Sequence, residues 1–217
     1  MVTFQSAMLG WYEKNERHYL WRSQTDPYKI LVAEIMLQQT NADKVGPVYD
    51  EFLKKYPDTN TLAQSDLHDL KAVLRLLGLE YRVLRLWNIA QKLLVEYGGR
   101  VPSTQEGLVT LPGVGRYIAS AVLCFGYSER VPLVDVNTIR LYGRVFGFWS
   151  HKNRARDDNR VWEFATTMLP ETKFKEYNLA LIDFGARVCT SKKPRCFQCP
   201  VSTMCLSYNT SGQTDGN

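Results

Sequence analysis

Leu111-Pro112-Gly113-Val114-Gly115-Arg116-Tyr117 is a turn between two helical patterns, and the rest of the chain is organised around it. Gly113 and Gly115 have no Cβ and can take φ > 0, so the backbone turns tightly and a ligand can come close, while Pro112 fixes its own φ. The apolar positions after the turn, Ile118, Ala119, Ala121, Val122, Leu123 and Phe125, predict a helix from about Arg116 to Gly126. Its free N–H groups and positive dipole end face the turn, which suits an anion such as a phosphate. An ordinary glycine-containing turn between helices explains the same seven residues.

The bulk properties narrow the setting. A chain of 217 residues that is 45% hydrophobic can bury a core, as one large domain or as two lobes. No apolar run approaches the ~18 residues of a membrane span. Met1-Val2-Thr3-Phe4-Gln5 lacks the basic and apolar regions of a secretory signal, so no membrane partner and an intracellular setting, cytoplasm or nucleoid, are expected. The excess of 27 basic over 22 acidic residues is compatible with a nucleic-acid partner without requiring one.

Helical spacing dominates the pattern. Phe4, Met8, Trp11 and Tyr12 open it, and a loop through Leu20-Trp21-Arg22 to Pro27 follows. Residues 28–37, Tyr28-Lys29-Ile30-Leu31-Val32-Ala33-Glu34-Ile35-Met36-Leu37, are apolar on nearly every face, which marks a helix buried on most sides that nonetheless carries one carboxylate, Glu34. Further helices are expected over 45–56, 67–76, 82–97, 104–111, 138–146, 161–169 and 174–188. The short run Val131-Pro132-Leu133-Val134 has a β-like pattern. Residues 206–217 are rich in Ser, Thr, Gly and Asn and are expected to be disordered.

Of five cysteines, Cys124 sits in an apolar helix and reads as core packing. The others, Cys189, Cys196, Cys199 and Cys205, are spaced C-x6-C-x2-C-x5-C directly after a helix. Four soft thiolates around one centre suit iron–sulfur or zinc, and the spacing leaves both open. Lys192, Lys193 and Arg195 lie in the same loop. They are either a solvated rim or a basic surface for a nucleic-acid backbone.

Three of these features in this order resemble the helix-hairpin-helix DNA glycosylases of the endonuclease III superfamily: the hairpin Leu111-Pro112-Gly113-Val114-Gly115, the aspartate in Val134-Asp135-Val136-Asn137, and the four-cysteine spacing. The resemblance spans residues 11–205. It extends to Ala33-Glu34-Ile35-Met36-Leu37-Gln38-Gln39-Thr40, which is similar to the segment that supplies a catalytic glutamate and groove-filling glutamines in the adenine glycosylases called MutY. It implies an all-α, two-lobed fold, with a six-helix barrel domain over 23–130 and a second lobe formed by 1–22 and 131–205. It also implies a [4Fe-4S] cluster on Cys189, Cys196, Cys199 and Cys205, and a cleft that receives a flipped base. The partner implied is double-stranded DNA containing a mismatch, bound by a monomer. Extruding a base needs a backbone grip, a wedge and a pocket. Leu111, Gly113, Val114, Gly115, Arg116, Lys192, Lys193 and Arg195 are assigned to the grip, Gln38, Gln39 and the turn Leu79-Glu80-Tyr81-Arg82 are candidates for the wedge, and Thr40 is a further DNA-binding candidate.

Cleaving an N-glycosidic bond builds positive charge on the sugar and negative charge on the base, so a fixed carboxylate and a proton donor both help. By resemblance Asp135 is the first and Glu34 the second, with Asn137 orienting Asp135 or touching a phosphate. On position alone the helix cap is the better reading of Asp135, and Glu34 also reads as a carboxylate satisfied by backbone N–H groups. Bifunctional members carry a lysine just after the hairpin, whose amine forms a Schiff base and cuts the strand. This chain has Tyr117, and a phenol cannot form an imine, so base release without strand cleavage is expected.

Two substrates are compatible with the motifs. Glu34 and Gln38-Gln39-Thr40 lean towards adenine opposite guanine or 8-oxoguanine. The chain ending soon after Cys205, the turn Gly78-Leu79-Glu80-Tyr81-Arg82 and the segment Tyr177-Asn178-Leu179-Ala180-Leu181-Ile182-Asp183-Phe184 lean towards the mismatch glycosylases called Mig. Those remove thymine or uracil opposite guanine, which is the preferred reading. A non-catalytic iron–sulfur protein that grips DNA or transfers electrons is the reading from another class, and it leaves Glu34 and Asp135 without a use.

Overall fold

The computed structural model describes residues 3–78 and 80–211. Among them all regular structure is helical, and no helix is long and apolar enough to cross a membrane. The chain divides into two compact units, one of residues up to Arg17 and from Arg130 onward, the other His18–Glu129. These divisions differ by a few residues from the expected 22/23 and 130/131.

The continuous unit is built on α2 (Pro27–Leu37), whose Ile30, Leu31, Val32, Ala33, Ile35 and Met36 are all buried. Asp26 accepts from the Tyr28 N–H at 2.9 Å and Pro27 occupies the first turn, where its missing N–H costs nothing. Against α2 pack α3 (Ala42–Lys55), α6 (Tyr81–Tyr97) and α8 (Arg116–Ala121); α4 (Thr59–Ala63) and α5 (Leu67–Leu74) pack on α6, and α7 (Gln105–Val109) on α8. Each apolar side chain fully buried here is worth about 1.5–3 kcal/mol. The helix after the hairpin is not uniform: from Val122 to Gly126 it widens into a π-helix, and a Cβ at Gly126 would press against Pro27 at 3.1 Å.

The discontinuous unit packs α1 (Phe4–Glu13) and α9 (Val136–Phe146) on α11 (Phe174–Arg187), with α10 (Asn159–Thr167) and α12 (Leu206–Ser211) beside them. Its core is aromatic: Phe4, Tyr142, Trp162, Tyr177 and Phe184 are buried together. Asp183, with no exposed side-chain surface, accepts from the Arg17 Nε at 2.9 Å, which anchors the chain at the end of this unit's first segment.

Two expectations change. Residues 131–134 form no strand, because the buried amide of Asn178 takes the place of a partner strand. It accepts from the Leu133 N–H and donates to the Val131 carbonyl, both at 3.0 Å. The stretch expected to be disordered from residue 206 begins instead with the helix Leu206–Ser211, and its remainder, residues 212–217, lies outside the described residues, as does Leu79.

Candidate functional site

Leu111 and Val114 are buried, and the Val114 N–H donates to the Leu111 carbonyl at 3.1 Å, closing the turn between α7 and α8. Their side chains therefore anchor the hairpin in the core, so a grip by these residues would use their backbone. Gly113 has φ +75°, a left-handed conformation in which a Cβ is strained. Gly115 does not share it: its φ of −95° and ψ of −179° are extended. A Cβ at Gly115 would meet nothing within 4 Å, so that side of the turn is open. Gly115, the N-cap residue, supplies no side-chain cap to α8.

At the other end of α2, Gln38 and Gln39 turn the chain, Gln39 with φ +55°. The Gln38 amide nitrogen donates to the Gly113 carbonyl at 3.1 Å, and its amide oxygen accepts from Arg85. Arg85 lies on α6, its guanidinium carbon 4.8 Å from the centre of the Tyr81 ring. A Cβ on Gly113 would overlap that guanidinium, so glycine is required there twice over.

Arg82, expected as a wedge or DNA contact, is only 1% exposed. It donates to the Gln38 carbonyl and to the Thr40 hydroxyl, the latter at 2.6 Å. Arg82 thus braces the turn from beneath, buried, whereas Thr40 is half-buried. Tyr81 and Gln39 remain exposed, and Glu34, Arg116 and Tyr117 are half-buried rather than enclosed.

In the other unit Asp135 caps α9. One carboxylate oxygen accepts from the Thr138 N–H at 2.8 Å and the other from the Asn137 side-chain amide at 2.7 Å. Cap and oriented carboxylate, alternatives in the sequence, are the same geometry. Asn137 is held in turn by Arg140, which donates to its amide oxygen at 2.9 Å and to the carbonyls of Gly185 and Cys189 at 2.6 and 2.9 Å. A Cβ on Gly185 would press on Asn137 at 2.5 Å, so the side chain is confined on that face too. Sequence reasoning missed Arg140, although its i,i+3 spacing from Asn137 on a helix was a signal. It also missed Arg85, for which no spacing rule exists.

The four cysteines line one cavity of about 230 Å³ with Leu141, Arg144 and Val188, and none is in a disulfide. Arg144 holds the loop through the carbonyls of Thr190 and Ser191 at 2.7 and 2.8 Å. Burial, and after it the neighbouring thiols, push Cys196 up; burial pushes Cys199 up to about 11. Among the described residues the sole set of three or more Cys, His, Asp or Glu ligand atoms all within 4.8 Å of one another is Asp66, His68 and Asp69. No three of the cysteine sulfurs are mutually that close. Lys192, Lys193 and Arg195 are exposed on this loop.

A hairpin with an open, uncapped helix start, an aspartate braced at both oxygens and a four-thiolate loop define a helix-hairpin-helix repair protein. The chain belongs to the HhH-GPD superfamily of base excision DNA repair proteins, which matches residues 32–165. Over 210 residues it is 37% identical to the thymine/uracil-DNA glycosylase of Pyrobaculum aerophilum, covering 94% of this chain and 91% of that one. The adenine DNA glycosylase of Rattus norvegicus is 32% identical over 98% of this chain and 43% of its own length. The solved structure of a thermostable thymine-DNA glycosylase superposes with a TM-score of 0.90 at 34% identity, over 95% of both chains.

Proposed function

We propose that this protein is a monofunctional DNA glycosylase of base excision repair that hydrolyses the N-glycosidic bond of thymine or uracil mispaired with guanine. The observation that carries the reaction type is the pairing of a braced Asp135 with tyrosine, not lysine, at position 117. Asp135 faces the positive charge that grows on the sugar, and because both its oxygens are already held it needs little reorganisation as that charge develops. Glu34 serves the departing base, and Tyr117 packs without supplying a nucleophilic amine.

The choice of thymine or uracil rests on the likeness to glycosylases named for those bases. Adenine opposite guanine or 8-oxoguanine is the second reading, favoured by Glu34 and by the likeness to an adenine glycosylase. Cys189, Cys196, Cys199 and Cys205, which line one cavity and have the C-x6-C-x2-C-x5-C spacing, would hold a [4Fe-4S] cluster. Bound to it, the four cysteines would cross-link the loop that carries Lys192, Lys193 and Arg195 and hold it in place. The double-stranded mismatched DNA is bound by a monomer.

The test is a panel of duplexes with T/G, U/G, A/G and A/8-oxoguanine pairs, with the released base identified by mass. Thymine and uracil release is expected; release of adenine alone overturns the substrate reading. Iron and sulfide analysis of protein prepared without air is expected to give about four of each per chain, and stoichiometric zinc would remove the cluster.

A further inference from the structure

Arg85 is tied to the hairpin more closely than to anything else in the fold. Its guanidinium fills the space that a Gly113 Cβ would occupy, holds the Gln38 amide oxygen and lies over Tyr81. The Gln38 amide nitrogen returns to the Gly113 carbonyl, so Arg85, Gln38 and Gly113 form a closed ring of contacts, with Tyr81 packed on it through Arg85. Gly113 is exposed at the tip where a phosphate would be gripped, and Gln38 presents an amide, a group able to pair with a base edge, one side-chain length away.

Arg85 makes no ion pair with a described residue that would explain it as a surface charge. Nor does it resemble Arg82, which is buried against the carbonyl of Gln38 and the hydroxyl of Thr40.

We propose that Arg85 is a positioning residue that acts through Gln38, locking the hairpin and the mispair-facing amide into one unit so that gripping the backbone also sets the group that reads the base pair. The proposal rests on the glycosylase reading above. A lysine does not substitute, because it has no planar face to lie on Tyr81 and no fork to hold an amide oxygen while it does so.

The test uses binding, which needs no turnover. Affinities of the parent, Arg85→Ala, Arg85→Lys, Gln38→Ala and the Arg85→Ala/Gln38→Ala double variant are measured on a duplex with a tetrahydrofuran abasic analogue opposite guanine and on a matched duplex, at several salt concentrations. Arg85→Ala is expected to cut the preference for the abasic duplex about tenfold, with matched binding and its salt slope little changed. Arg85→Lys is expected to fail likewise. In the Gln38→Ala background the Arg85 change is expected to cost almost nothing further, as for two residues acting as one.

Equal losses on both duplexes with the salt slope reduced by about one would make Arg85 a plain phosphate contact and overturn the proposal. Additive losses with Gln38→Ala, or a preserved preference, overturn it as well. A parent with no preference for the abasic duplex overturns the glycosylase reading and this proposal with it, whereas a preference that survives Arg85→Ala overturns the proposal alone.

Discussion

In the unit that carries the hairpin, an arginine on α6 holds the amide of Gln38; in the unit that carries the cysteines, an arginine on α9 holds the amide of Asn137. The Gln38 amide ends on a backbone carbonyl at an exposed turn, and its arginine is otherwise seated only against an aromatic ring and a glycine. The Asn137 amide ends on a carboxylate that is also a helix cap, and its arginine is pinned by two further carbonyls. Fixing the group that meets developing charge at many points avoids reorganisation during the reaction. A recognition surface held at fewer points can adjust to the strand it meets.

The largest expected effect follows from the more rigid region. Asp135→Asn keeps an oxygen for the Thr138 N–H, so the cap and the fold survive, while the negative charge is lost. Base release should fall by about 10²–10³-fold or more with DNA binding retained, measured by single-turnover assay beside a binding titration. Turnover within a few-fold of the parent would leave Asp135 a cap only.

Arg140→Ala leaves the charge but frees Asn137, and misplacing a catalytic group by about 1 Å costs up to about 10²-fold. A fall of about 10- to 100-fold in single-turnover rate is expected, smaller than for Asp135→Asn, with matched-duplex affinity unchanged. If the two variants were equally impaired, Asn137 and Arg140 would be more than supports.

Replacing Lys192, Lys193 and Arg195 with alanine should weaken binding to matched and mismatched duplexes alike. It should also lower the slope of log affinity against log salt by about 0.9 for each phosphate that is no longer neutralised. An unchanged slope would return these exposed residues to a solvated rim. The smallest effect is expected at Tyr117→Phe, which keeps the ring and removes one hydroxyl, so base release should persist in part. Tyr117→Lys should instead add some strand cleavage, provided the new amine is desolvated enough to be nucleophilic.

Much of the fold and site was legible from the sequence where local chemistry and role coincide. The apolar run of α2 demanded a buried helix, and the cysteine spacing demanded a common centre. Asp135 looked like a cap, and its carboxylate does accept from the Thr138 N–H. What escaped depends on the reach of long side chains and on single tertiary partners. Arg82 and Arg85 stand three residues apart on α6, yet the first is buried against the Gln38 carbonyl and the second lies over Tyr81 against the hairpin. Residues 131–134 looked like a strand because nothing local shows that Asn178, more than forty residues on, supplies the missing hydrogen bonds. The short helix Thr59–Ala63, capped by Asp58, has too few turns to leave a periodic signal.

The central claim is base removal without strand cleavage, and one denaturing gel tests it. A labelled T/G duplex is incubated with the unmodified protein, with and without borohydride, and divided before hot alkali. The expected result is an intact strand that alkali cuts at the mismatched position, with little covalent complex trapped. A strand cut before alkali, together with efficient trapping by borohydride, would contradict the claim and require an amine other than one at position 117 to act as nucleophile.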